Sequence, residues 1–309
     1  MFARSFSRSA AMVLATIATT VAVSATAVVP AASAGIGATP ARRPARRAVA
    51  AREASGDLIV ARDISFPQCG GALPRLRGAD FGVLGTNNGI SFTRNPCLAR
   101  QLAWAKKFQY PPAFYANTGN PGPQRAKHWP LGQAAPKVCS AAEPNSVGCS
   151  YDYGWNAAWQ SYSTAVDAAQ RLHRVDRANA RQRAANVEWW LDVETMNSWQ
   201  TLDGSPTLAA QRRDTATIAG EGDALRAAGI AHVGIYSTPF QWEQITGGAV
   251  VTQGRFATAP QWLAGYESRR DAEQGCGHHG FTGGPVRLTQ YLARDGFDAD
   301  VVCTEAPGS

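Results

Sequence analysis

The stretch Val187-Glu188-Trp189-Trp190-Leu191-Asp192-Val193-Glu194-Thr195 decides how the rest of the chain is read. Its β-branched and aromatic residues alternate as a strand does, so successive side chains point to opposite faces. Trp189, Leu191 and Val193 can then meet a layer of helices, while Glu188, Trp190, Asp192 and Glu194 point the other way. Asp192 and Glu194 share that second face with Cα atoms roughly 6.5–7 Å apart. Two crowded carboxylates oppose double ionisation, so one holds its proton to higher pH, as a general acid must near neutrality. The same pair could also face water or bind a nearby arginine without doing chemistry.

Working outward, short β-rich runs alternate with Ala-rich stretches, the pattern of parallel strands joined by crossover helices. Strands are expected at Leu58–Asp63, Phe81–Thr86, Ala113–Asn117, Val187–Glu194, Ala231–Ser237, Ala259–Ala264, Val286–Tyr291 and Phe297–Val302. Helices are expected over Asn95–Phe108, over Trp155–Arg174 with Trp155, Trp159, Tyr162, Val166 and Ala169 on one stripe, and over Pro206–Ala228 before Gly229. No period runs through Asn120–Ser150; a loop of that length reads as a cleft wall pinned by Cys139 and Cys149. The fold expected is α/β: a single TIM-like (β/α) barrel over residues 57–304, with eight strands, fewer than eight helices and disulfide staples. The last strands connect directly. In such barrels function sits at the C-terminal ends of the strands.

That placement selects further residues. The first strand ends Ala61-Arg62-Asp63-Ile64-Ser65, and the last begins Phe297-Asp298-Ala299-Asp300. If these strands close the barrel, Asp63 and Asp298 reach the mouth that holds Asp192 and Glu194. Either acid alone is commonly a cap or turn residue.

Six cysteines, Cys69, Cys97, Cys139, Cys149, Cys276 and Cys303, make an even set that suits an oxidising compartment. Six cysteines allow fifteen pairings; loop closure favours the nearest, Cys69–Cys97, Cys139–Cys149 and Cys276–Cys303. The run Cys276-Gly277-His278-His279 has no second ligand pair at zinc-site spacing, so no metal is expected.

With these segments in place the chain resembles family 25 of the glycoside hydrolases, the lysozyme-type muramidases that cut peptidoglycan. The resemblance rests on Asp63-x-Ser65-x-x-Gln68, Asp192-x-Glu194, Tyr236-Ser237, Trp262-x-Ala264-x-Tyr266, Gln290-Tyr291 and then Asp298, in that order over residues 58–303. It looks like a divergent, secreted, actinobacterial-type branch. The second strand has Gly85-Thr86-Asn87-Asn88-Gly89 where the family carries a Lys and an acidic-Gly turn. The third has Phe114-Tyr115-Ala116-Asn117-Thr118 in place of Tyr-His-Phe. The resemblance implies five helices around eight strands and Glu194 as general acid. Asp192 would stabilise positive charge or orient an acetamido group, and Asp63 and Asp298 would complete an acidic floor. Tyr115, Trp190, Tyr236, Trp262, Tyr266 and Tyr291, with Gln290, would bind sugars. Asp192 is expected to supply the repulsion that raises Glu194.

The N-terminus fits an exported product. Arg4 and Arg8 precede an apolar stretch from Ala10 to Val29 and the small-x-small sequence Ala32-Ser33-Ala34. Residues 1–34 therefore read as a cleaved signal peptide, after which no membrane span is expected. Residues 35–56, rich in Ala, Arg and Pro, read as a linker. The formal charge of +7 sits mostly there: residues 1–52 hold seven arginines and no acid, leaving 23 basic against 23 acidic residues. A nearly neutral folded part argues against nucleic acid as partner. No Gly-x-Gly-x-x-Gly, phosphate loop or Gly-x-Ser-x-Gly elbow is present, so no nucleotide cofactor and no serine hydrolase are expected. The readings that compete are a monomeric secreted hydrolase of peptidoglycan or a related polysaccharide, a carbohydrate-binding or wall-associated protein on the same barrel, and an exported structural or partner-binding protein.

Overall fold

A computed structural model describes residues 58–204, 206–248 and 256–303; the expected signal peptide and linker lie outside the described residues. Eight strands close a barrel in chain order. They are β1 (Val60–Ile64), β2 (Phe81–Gly85), β3 (Ala113–Asn117), β4 (Trp189–Asp192), β5 (Val233–Ser237), β6 (Gln261–Tyr266), β7 (Val286–Leu292) and β8 (Asp298–Val302). All eight expected strands are present. β1 to β7 run parallel, and β8 runs antiparallel to both β7 and β1. That reversal has a local cause: Gly296, at φ +78°, allows a tight turn between Ala293 and Phe297, so no crossover helix is needed.

Six α-helices lie among the described residues: α1 (Leu98–Ala105), α2 (Val147–His173), α3 (Arg177–Ala185), α4 (Leu208–Ala227), α5 (Pro239–Thr246) and α6 (Arg269–Gly275). The five-helix expectation is thus one short. The helix expected from Trp155 begins at Val147, because the Ser146 hydroxyl accepts from Cys149 N at 3.1 Å and caps it earlier. α2 and α4 cross at two glycines. A Cβ on Gly154 would stand 2.1 Å from Thr217 O, and one on Gly220 would stand 2.0 Å from Tyr151 O.

Alternation along the strands divides the core in two. Trp189, Leu191, Val193, Val233, Ile235 and Leu263 pack outward against the helices. Ala61, Val83, Ala113, Trp190, Tyr236, Trp262 and Leu288 fill the barrel. Gly234 makes the interior packing possible, since a Cβ there would lie 2.2 Å from the Trp190 ring. The disulfides are Cys69–Cys97, Cys139–Cys149 and Cys276–Cys303, with Cα–Cα distances of 5.4, 4.4 and 5.3 Å. These are the nearest-neighbour pairings expected. Cys276 and Cys303 are committed to each other, which removes the thiolates a zinc site would use.

Candidate active site

The inward faces of β1, β4 and β8 bring the predicted acids to one end of the barrel. Asp63 stands opposite Asp298 in the β1–β8 ladder. Because β8 is antiparallel, its first residue lies at the mouth where the parallel strands end. Asp192 is the last residue of β4, level with Asn117 on β3 and Tyr236 on β5. β4 stops sooner than expected, so Glu194 lies two residues beyond it, half-buried at the opening. Asp63 feels the charges of Asp300, Asp298, Asp192 and Glu194 together. The group therefore spans the mouth as one electrostatic unit.

The carboxylates differ in depth. Asp63 is 8% exposed and Asp192 5%, whereas Asp298 is exposed at the rim. Burial holds the Asp63 carboxyl well above the usual range, and its acidic neighbours add to this. Burial likewise raises Asp192, followed by the charge of Glu194. Glu194 is raised by burial, lowered in part by its hydrogen bond with Tyr236, and raised again by the charge of Asp298. Asp192 and Glu194 therefore repel each other, and Asp298 adds to the rise at Glu194.

Hydrogen bonds link the two sides. Gln290 Nε2 donates to Asp63 Oδ2 at 3.0 Å, and Tyr236 OH donates to Gln290 Oε1 at 2.7 Å. The Tyr236 hydroxyl also meets Glu194. One hydroxyl hydrogen serves one acceptor, so a protonated Glu194 leaves Tyr236 free to donate to Gln290. On the other side Asn117 Nδ2 donates to Asp192 Oδ2. Asn197 Nδ2 donates to the Asp192 carbonyl at 3.1 Å and stands 3.5 Å from Oδ1. Asn87 fixes Asn117 in turn: its Nδ2 donates to Asn117 O at 3.0 Å and its Oδ1 accepts from Asn117 N at 3.2 Å. Trp199 Nε1 donates to Glu194 O at 2.8 Å, holding the backbone of the acid.

Of the residues read as sugar contacts, Tyr115, Tyr236 and Gln290 join the carboxylates. The Tyr115 hydroxyl meets the Ser65 side chain and is raised by burial and then by Asp63. Trp190 and Trp262, each 1% exposed, form the floor beneath the acids and offer no open face. Tyr266 packs against the outer core, and Tyr291 alternates with inward-facing Gln290, so both stand outside the barrel interior. In the first motif, Gln68 serves structure: its Oε1 accepts from Ser65 N at 2.8 Å and closes a short turn over Phe66–Cys69.

Three members of the site were not read from the sequence. Asp300, fully buried on β8, accepts from Trp262 Nε1 at 2.9 Å; its spacing of two from Asp298 was the available signal. Asn117 ends the strand beside β4, a position that only the sheet order makes meaningful. Asn197 lies in the loop beyond Glu194, where no periodic signal exists. Among the described residues no group of three or more His, Cys, Asp or Glu forms a metal cage.

The chain is similar in structure to solved muramidases and lysozymes. A muramidase from Acremonium alcalophilum is 16% identical, covering 80% of this chain and 95% of its own, at a TM-score of 0.47. A family GH25 lysozyme from Aspergillus fumigatus is 14% identical over 81% of this chain and 95% of its own, at 0.45. The Clostridium perfringens spore cortex lytic enzyme SleM is 14% identical over 79% and 67%, at 0.48. No family model and no curated protein matches the chain.

Proposed function

We propose that the chain is a secreted glycoside hydrolase that cleaves peptidoglycan or a related polysaccharide by carboxylate acid catalysis. The observation that carries this reading is Glu194: a half-buried acid with a raised carboxyl, at an opening it shares with Asp63, Asp192 and Asp298. Glycosidic cleavage needs such a set, because the bond breaks through an oxocarbenium-like state that calls for a proton donor and nearby negative charge.

In this mechanism Glu194 gives its proton to the glycosidic oxygen as the bond to the anomeric carbon breaks. Asp192, which accepts the amides of Asn117 and Asn197, stabilises the developing positive charge or orients an acetamido group. Water then supplies hydroxide to the anomeric carbon, and its remaining proton goes to a carboxylate of the site. Tyr115, Tyr236 and Gln290 line the sugar side of Asp63. Export follows from the residue 1–34 segment, with residues 35–56 as a tether; three disulfides suit that compartment.

The test is to incubate the purified mature protein with labelled peptidoglycan and with chitin-type oligomers and to measure new reducing ends. Appearance of ends with the native protein, and not with Glu194→Gln, supports the reading. Binding to these glycans without new ends replaces it with a carbohydrate-binding function.

A further inference from the structure

Glu221 sits on α4 and is 1% exposed. Its Oε2 lies 2.9 Å from Thr118 Oγ1, and its Oε1 is buried with no hydrogen-bond partner. A buried carboxylate with an empty oxygen is costly, whereas a carboxylic acid is far less so. The Thr118 hydroxyl, fully buried, also lies 3.3 Å from Ala116 O. It has one hydrogen for two acceptors. A proton on Glu221 resolves the conflict: the acid donates to the Thr118 oxygen, and Thr118 donates to Ala116.

Thr118 joins this contact to the candidate site. Its backbone N donates to Asp192 O at 3.0 Å, and the residue before it, Asn117, donates from its side chain to Asp192 Oδ2. A shift of Thr118 therefore moves Asn117 relative to the carboxylate. We infer that Glu221 is a positioning residue that, as a neutral acid, fixes the end of β3 so that Asn117 meets Asp192. The functional part of this inference rests on the reading of Asp192 and Glu194 as reaction carboxylates. Across the helix interface the titratable groups that face Glu221 are Tyr153 on α2 and Asp192 on β4. Burial raises the Glu221 carboxyl, and the Thr118 hydrogen bond lowers it in part.

The experiment compares the full-length mature protein with Glu221→Gln, Glu221→Met and Thr118→Val. Gln keeps a donor for the Thr118 oxygen; Met keeps the volume and removes the donor; Val cuts the same link from the other side. Two readouts are taken: the side-chain amide resonances of Asn117, assigned by their loss in Asn117→Ala, and the kcat and KM for glycan. Glu221→Gln should leave both near wild type. Glu221→Met and Thr118→Val should displace the Asn117 resonances and lower kcat about tenfold or more, with little change in KM, at an undiminished melting temperature. Unmoved Asn117 resonances in both cutting variants, or equal damage from Gln and Met, would overturn the inference. The amide readout does not require turnover. A chain that cuts nothing would sink the hydrolase reading and still leave the placement of Asn117 decided.

Discussion

Asp192, at the end of β4, meets the side-chain amides of Asn117 and Asn197, whereas Asp63 and Asp300, on neighbouring β1 and β8, each keep one buried oxygen without a partner. The depths are similar, but the surroundings are not. Amides that donate to both oxygens favour the ionised form, while desolvation beside other acids favours the proton. Burial raises the carboxyls on both sides, and on the β3–β4 side the amides oppose that rise at Asp192. Tyr236 and Gln290 join the sides, since Gln290 reaches Asp63 and Tyr236 reaches both Gln290 and Glu194. Glu194 stands where the two environments meet, which is a suitable place for a group that must give up a proton and regain it.

The harshest way to break this comparison is to remove the group at the junction. Glu194→Gln keeps the shape and deletes the transferable proton. Turnover on unactivated glycan should fall by about 10²–10⁴-fold, the usual contribution of a general acid. Circular dichroism and melting temperature should stay as in the native protein. Wild-type turnover by this variant, on a glycan the native chain cuts, would remove Glu194 from the role.

The next effect is on stability and is confined to the β8–β1 side. Cys276–Cys303 ties the residue after α6 to the residue after β8. Replacing both cysteines by serine should cost about 2–5 kcal/mol, read from chemical denaturation. β8 closes the barrel against β1, so the loss should also loosen Asp298 and Asp63. If hydrogen exchange of β8 amides is unchanged, the staple does not hold this edge.

A smaller change should have the opposite sign. Asp300 is fully buried and its carboxyl is raised, first by burial and then by Asp298. In the unfolded chain the same group ionises near the ordinary aspartate range. Its contribution to stability is therefore fully present below that range and is lost as pH rises towards the folded value. Asp300→Asn keeps an oxygen for Trp262 Nε1 and removes the titration. Its melting temperature should match wild type near pH 3 and exceed it at pH 8 by at least about 2–4 °C, the shift that ~1 kcal/mol gives a domain of this size. A constant difference across that range would mean that Asp300 keeps an ordinary titration.

How much of this was legible follows from which signals are local. The strands were readable because each is a short run of β-branched and aromatic residues bounded by turn residues, and sheet order follows chain order. Asp63, Asp192 and Asp298 came with them, since a strand's end and phase determine where its acids point. The helices α3, α5 and α6 were missed although Asp176, Thr238-Pro239 and Ser268 cap them, because seven to nine residues carry too little apolar period to register. Trp190 and Trp262 were read as ligand faces because an aromatic on an inward strand face can either line a cleft or fill a barrel. Only the closed interior, with Gly234 against Trp190, separates the two. Asn117 and Glu221 act through residues far away in the chain, and contacts of that kind have no one-dimensional signature.

The finest test concerns which acid sets the proton affinity of Glu194. If the pair on β4 governed it, Asp192→Asn would move the alkaline limb of the pH profile more than any other neutralisation. Asp298 acts beside it: its charge raises Glu194 after burial, while Asp192 and Glu194 repel each other within the pair. Each substitution removes a negative neighbour, and a lost negative neighbour lets an acid ionise more easily. The alkaline limb of kcat/KM should therefore move to lower pH in both Asp298→Asn and Asp192→Asn, and the size of each shift ranks the two acids. Turnover at the optimum should fall further in Asp192→Asn, because the proposed role of Asp192 includes the developing positive charge whereas Asp298 stands at the rim. The measurement is a full pH profile of kcat/KM for the three proteins on one glycan, with binding of a non-hydrolysed oligomer as control. An alkaline limb fixed in Asp298→Asn and displaced in Asp192→Asn would make Asp192 the source of repulsion. Asp298, across the mouth, would then no longer account for the raised carboxyl of Glu194.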